Sequence, residues 1–147
     1  MKIKLKNIPI PEAHLISIIL GVFLQKFFPK VIFQEKLIGH FLGWPLFVMG
    51  LGISFWAVIE AGNLDISSPQ RLITSGPYAY SRNPMYVGWT LIYLGIGFVV
   101  NSIWLIRLFP IMVTYLHFAV IRKEEKVLAQ KLGTKYQEYR NQVRRYL

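Results

Sequence analysis

Positions 37 to 59 hold twenty-three consecutive residues without one Asp, Glu, Lys or Arg. A helix that crosses a bilayer needs about 20 mostly apolar residues, and little else in a chain demands so long a run. Three further runs approach that length: 13–33, interrupted near one end by Lys26 and Lys30; 85–100; and 103–121, with Arg107 near its start. The composition agrees. Hydrophobic residues make up 54% of the 147 and charged residues 16%, more apolar than an ordinary soluble domain. A soluble core of this size cannot hide so much Leu, Ile, Phe and Val, whereas lipid can. The expected fold class is therefore all-α: one membrane domain over residues 1–147, a bundle of about four transmembrane helices with a cytoplasmic helical segment at 122–147.

The basic residues orient that bundle. The net charge is +10, a value that also suits a nucleic-acid binder. Here, however, the bases lie between and after apolar runs and not along one soluble face, which excludes nucleic acid as the expected partner. Four spans put both termini on one side. That side carries Lys2, Lys4, Lys6, Arg71, Arg82 and eight bases after position 121, against Lys26, Lys30 and Lys36 on the other. The positive-inside rule then places both termini in the cytoplasm of a plasma or inner membrane. The N-terminal lysines resemble a signal peptide, but Gln25, Lys26, Phe27, Phe28 and Pro29 stand where a small-residue cleavage site would be, so the segment reads as a retained helix. The absence of cysteine removes disulfides, thiolate catalysis and Cys-zinc sites.

Within the spans, Gly39, Gly43 and Gly50 recur at offsets of four and seven, and Gly88 and Gly95 lie seven apart. Such stripes let helix backbones approach closely in lipid. Asn101 and Ser102 leave room only for a tight turn between the third and fourth spans. Beyond Ile121 the chain is too charged to span. Glu124, Leu128 and Lys131 fit a surface helix, Gly133 a stop, and Thr134-x-x-Gln137 a capping box that opens a second short helix. On that helix Tyr136, Tyr139 and Val143 share one face. His14, His40 and His117 are scattered without metal-ligand spacing and read as structural; no metal site is expected.

Polar chemistry concentrates in two places. The first is Thr74-Ser75-Gly76-Pro77-Tyr78-Ala79-Tyr80-Ser81-Arg82-Asn83-Pro84-Met85-Tyr86-Val87-Gly88. Pro84 suits the first turn of a helix and Asn83 its cap, so an aromatic, basic loop re-enters the membrane at a positively polarised helix N-terminus. Such a terminus suits an anionic group such as a carboxylate. The second is Glu124-Glu125, directly after the last span. Two acids there serve either as partners for Arg122 and Lys123 or as holders of hydroxyls or a cationic ligand.

These two stretches resemble the paired signatures of the isoprenylcysteine carboxyl methyltransferase family and its phospholipid methyltransferase relatives. The first is Gly76-Pro77-Tyr78-x-Tyr80-x-Arg82-Asn83-Pro84-x-Tyr86-x-Gly88; the second is Glu124-Glu125-x-x-Leu128-x-x-x-Leu132-Gly133-x-x-Tyr136-x-x-Tyr139. The resemblance covers about residues 71 to 145, and the first two spans match only in being apolar. It implies S-adenosylmethionine as cofactor, bound at the cytoplasmic face between the membrane helices and the segment after them. By that resemblance Tyr80, Asn83, Pro84, Tyr86, Gly88, Glu124, Glu125, Tyr136 and Tyr139 are cofactor-binding, and Arg82 and Glu125 are catalytic. Family members that methylate prenylated cysteine often carry His at the position of Asn83; Asn occurs in phospholipid-type and in uncharacterised bacterial members. The acceptor therefore stays open between a carboxylate and an amine.

The chemistry fits without a covalent nucleophile. Methyl transfer from a sulfonium is an in-line displacement that needs positioning and exclusion of water. A carboxylate acceptor is already ionised, whereas an ammonium must first lose a proton. A site at the membrane implies a lipophilic or lipid acceptor among membrane lipids. A reading from another class is a non-catalytic scaffold or transporter subunit. The oligomeric state is left open.

Overall fold

The computed structural model describes residues 11–62 and 72–147. The expected placements of Lys2, Lys4, Lys6 and Arg71 lie outside the described residues. The elements are α1 (Glu12–Phe27), α2 (Lys36–Ala61), a 3-10 turn (Gly76–Ala79), α3 (Pro84–Val99), α4 (Ile103–Tyr115), a π-helical turn (Leu116–Ile121), α5 (Arg122–Leu132) and α6 (Thr134–Gln142). Every described element is helical, as expected.

Two helices are long and apolar enough to cross a membrane: α2, with 26 residues, and the continuous helix Ile103–Leu132, with 30. Their surfaces make the same case. Leu37 and Phe41 on α2 are each 77% exposed and Phe55 65%, an arrangement that water penalises and lipid accepts. The other two expected spans are shorter. Each of α1 and α3 has 16 residues, about 24 Å of helix at 1.5 Å per residue.

The expected first span, 13–33, stops early. Pro29 lacks an N–H and disfavours helical geometry at the residue before it, and Phe28 accordingly leaves the helix at φ −132°, ψ 67°. The chain from there to α2 is tied to the turn between α3 and α4. Asn101, at φ 55°, accepts from the Ile32 and Phe33 N–H groups at 3.0 and 2.9 Å and donates to the Phe33 carbonyl at 2.8 Å. The turn is as tight as expected, and its asparagine also organises the neighbouring loop.

The glycine stripes pack against each other. A Cβ at Gly43 would lie 2.7 Å from the Gly95 carbonyl, and one at Gly50 would lie 2.6 Å from the Gly88 carbonyl. Thus α2 and α3 touch backbone to backbone, the close approach that small residues permit in lipid. On the other side of α3, α1 contributes buried His14, bonded to Thr90 at 3.3 Å, and Ser17, bonded to the Tyr93 hydroxyl at 2.9 Å. Tyr93 also donates to the Leu105 carbonyl at 2.8 Å, which joins α4.

Three local expectations at the polar end are corrected. The surface helix after Ile121 does not stand apart, because α5 continues α4 through the π-helical turn. Thr134 is not a cap. Gly133 at φ 53° both ends α5 and precedes α6, so Thr134 is already the first helical residue and makes no capping bond. Val143 is not on the helix face of Tyr136 and Tyr139 because it has left α6 in extended conformation, φ −118°, ψ 132°.

Candidate functional site

The two polar stretches, about forty residues apart in the chain, meet at one end of the bundle. The 3-10 turn and Ser81 lead into α3, which begins at Pro84 with Asn83 before it. Asn83 holds the cap position, but its side chain makes no capping bond; its Nδ2 donates to the Arg145 carbonyl at 3.1 Å. The Ser81 hydroxyl accepts from the Asn83 N–H at 3.1 Å. The chain therefore turns into the helix with its amide side chain committed to a segment sixty-two residues away.

The acids divide their partners. Glu124 accepts a hydrogen bond from the Tyr86 hydroxyl at 2.8 Å. Glu125 faces two arginines: Arg82 Nη1 at 3.3 Å from Oε1, and Arg145, whose Nε lies 3.0 Å from Oε1 and whose Nη2 lies 2.9 Å from Oε2. The bidentate fork is the stronger geometry for a guanidinium on a carboxylate. Adjacent helical residues point about 100° apart, which separates the two jobs. The π-helical turn just before α5 sets the phase of both, because its wider turn rotates every side chain that follows.

Electrostatics follow from these contacts. Burial pushes the Glu124 carboxyl up, with the Tyr86 hydrogen bond working against it. Burial would also raise Glu125, but the Arg145 hydrogen bonds and the charges of Arg82 and Arg145 outweigh it and hold that carboxyl down. The hydrogen bonds to Glu125 in turn raise Arg145. Burial, then the charges of Glu124 and Glu60, push the Tyr78 phenol up to about 12. Buried Glu125 and half-buried Glu124 are thus both answered by donors, the condition for keeping charge inside a structure.

Tyrosines close the cluster. Tyr136 is 2% exposed and its hydroxyl takes a long hydrogen bond from Arg82 Nη1 at 3.5 Å. Tyr139 is buried and donates to the Tyr78 carbonyl at 2.6 Å. Beside Glu125 lies an open cleft of about 460 Å³. Arg122, Lys123, Lys126, Arg140 and Arg145 surround it, with Tyr136 in its wall. The Arg82 Nε–H is buried without an acceptor among the described residues. The donor set therefore suits a ligand that brings a carboxylate for cations and hydroxyl or ammonium groups for acids.

Of the residues predicted from sequence, Arg82, Asn83, Tyr86, Glu124, Glu125, Tyr136 and Tyr139 come together, with Pro84 buried at the start of α3. Two do not join them. Tyr80 is 69% exposed. Gly88 faces α2, against the Gly50 carbonyl and Ser54, because two residues along a helix turn it about 200° from Tyr86. Sequence reasoning missed Arg145, which counted only as one of the cytoplasmic bases. His117, read as structural, ties the end of the chain to the π-helical turn, its Nδ1 lying 2.6 Å from the Tyr146 hydroxyl. No spacing rule links residues twenty-nine positions apart.

Comparison with known proteins bears on the family of the chain. The family model of phospholipid methyltransferases matches residues 38–135. That range takes in α2, which the motif resemblance left out, and stops short of Tyr136 and Tyr139. Methanethiol S-methyltransferase of Crocosphaera subtropica (strain ATCC 51142 / BH68) is 27% identical over 124 residues, covering 74% of this chain and 47% of that protein. The chain thus spans about half the length of the curated relative it matches. No solved structure matches. With two thirds of its residues inside the family model, and with both signature stretches of that family brought to one site, this chain belongs to the phospholipid methyltransferase family.

Proposed function

We propose that the protein transfers a methyl group from S-adenosylmethionine to a lipophilic acceptor at the cytoplasmic membrane face. The observation that carries this reading is the meeting of the two signatures: Tyr86 on Glu124, and Arg82 on Glu125. Family membership and a relative named as a methyltransferase support it. S-adenosylmethionine supplies an electrophilic methyl on a sulfonium. The protein's residues then bind and orient. The cations around the cleft, Arg122, Lys123, Lys126 and Arg140, offer donors to a carboxylate. Glu124 and Glu125 offer acceptors to ammonium or hydroxyl groups, and Tyr136 supplies an aromatic wall to the cleft. Exposed apolar faces beside this end give an acceptor with an apolar tail a path from lipid. The four-span topology with cytoplasmic termini belongs to the same proposal and rests on the distribution of the bases.

The acceptor is the finer question. The reading nearest the paired motifs is a carboxylate acceptor of the isoprenylcysteine type; the alternative is a phospholipid amine, favoured by Asn83 and by the family's description. The relative's name adds a thiol to the panel. Titration calorimetry of the folded protein in lipid nanodiscs should detect binding of S-adenosylmethionine and its demethylated product. Labelled methyl donor offered to prenylcysteine, phosphatidylethanolamine and thiol acceptors then identifies the substrate. Absence of binding by either nucleoside would favour a scaffold and end the enzyme reading.

A further inference from the structure

Residues 143–146 leave α6 and run back across the loop before α3. Their backbone meets the first motif: the Arg144 carbonyl accepts from the Arg82 N–H at 2.9 Å, and the Arg145 carbonyl accepts from Asn83 Nδ2 at 3.1 Å and from the Ser81 hydroxyl at 3.3 Å. The Arg145 side chain meets the second motif through its fork on Glu125. Tyr146 bonds His117 inside the π-helical turn. One short segment therefore engages groups from both signatures at once.

That arrangement has a consequence for binding. A carboxylate offers about four acceptor positions. On Glu125 the fork of Arg145 and Nη1 of Arg82 are directed at both oxygens. A cationic or hydroxyl group of a ligand reaches Glu125 only after Arg145 moves away. Of the two arginines, Arg145 is the one that can leave. Its side chain is 29% exposed, so a released guanidinium finds water, whereas Arg82, at 8%, stays behind and keeps the acid paired. The cleft it borders already holds Arg122, Lys123, Lys126 and Arg140, which repel it.

We propose that residues 143–146 are a gate, in which Arg145 occupies Glu125 as an internal stand-in for a ligand's cationic group and is released when the cofactor is admitted. This rests on the reading of the site as a binder of S-adenosylmethionine. A protein whose binding-competent state is only partly populated shows an affinity reduced by that fraction. Loosening the gate should therefore tighten binding.

The test uses the full chain in nanodiscs, as wild type and as Arg145→Gln, with S-adenosylhomocysteine as the probe. Two quantities are read: affinity by calorimetry, and hydrogen exchange at the Arg82 amide, which the Arg144 carbonyl protects in the closed state. Arg145→Gln should bind about tenfold more tightly, as expected if the open state is a minor one. In the wild type, the probe should speed exchange at Arg82. Unchanged or weaker binding by Arg145→Gln overturns the gate, and so does slower exchange at Arg82 with the probe present, because residues 143–146 would then be a wall that closes on the ligand. If the folded wild type and variant both fail to bind, the cofactor reading falls and the gate falls with it. Binding with the wrong response to Arg145→Gln removes the gate alone.

Discussion

The seam between α2 and α3 and the clasp around Glu125 solve the same problem by opposite means. In the seam, helices are held by shape: Gly43 against Gly95 and Gly50 against Gly88, with backbone carbonyls where side chains would be. In the clasp, segments far apart in sequence are held by charge: Arg82 and Arg145 on Glu125, Tyr86 on Glu124. Lipid explains the contrast. Between apolar helices in lipid there is no hydrophobic gain on association, so close packing is the available attraction. Beyond the bilayer, buried charges persist only when answered by donors. A seam of this kind has one good arrangement, whereas a clasp can exchange partners, which suits it to binding.

The seam should be the more brittle of the two. A Cβ at Gly50 would also lie 2.8 Å from the Ile92 N, and backbone cannot swing aside. Gly50→Val is expected to cost at least about 3 kcal/mol, the upper end of overpacking, read as a lower unfolding midpoint in detergent. Gly52, two residues on, meets nothing within 4 Å. There Gly→Ala should be neutral or stabilise by up to about 1 kcal/mol. Equal responses at the two positions would erase the distinction between seam and lipid-facing surface.

In the clasp, Glu125→Gln removes the charge that two arginines share. The expected loss is about 2–3 kcal/mol, the range for hydrogen bonds to charged groups, accompanied by faster hydrogen exchange at the Arg82 amide. A neutral result would show that the arginines are satisfied by water and that the clasp is a surface ion pair. Tyr86→Phe removes a single bond to Glu124 and should cost about 1 kcal/mol. Its coupling to Glu124→Gln in a double-mutant cycle should be of the same size, and a zero coupling would break the pairing of α3 with α5.

The smallest effect is in pH. Glu125 has its folded carboxyl held below the unfolded value, so its contribution is present above that value and is lost as pH falls through the lower, folded one. Protection of the Arg82 amide, relative to its intrinsic exchange rate, should therefore fall once the pH drops below the ordinary glutamate range, in the wild type and not in Glu125→Gln. Glu124, raised by burial, has the opposite sign, and its contribution weakens as pH rises through its folded value. Acid that loosened both variants alike would assign the effect to some other group. The seam carries no titratable side chain at its glycines and should be indifferent.

Legibility from sequence differed in the same way between the two regions. The bounds of α2 and α3 fall within two residues of the apolar runs, and the glycine stripes announced their own contact. The early stop of α1 at Pro29 was also readable in principle, from the missing N–H and the restriction on the residue before it. The run of 103–121 was legible as a span, but nothing in its pattern signalled that the helix continues to Leu132, because a charged continuation and a separate surface helix look alike in periodicity. In the clasp, the residue types were legible and the partners were not. The bases expected to answer the acids were the neighbouring Arg122 and Lys123; Glu125 borders the cleft and takes Arg82 and Arg145 instead.

By itself, then, the sequence determined an all-helical chain built for lipid, the stripes by which α2 and α3 meet, and two polar motifs. Those features depend on composition and on spacings of a few residues, which the helical period converts directly into faces. Only the tertiary structure decided that Gly88 serves the seam and not the site, that Asn83 reaches Arg145 and does not cap its helix, and that Arg145 answers Glu125. Those pairings join residues twenty to more than sixty positions apart. They depend on the phase of a π-helical turn and on the reversal at Gly133, and so on where the chain returns in space.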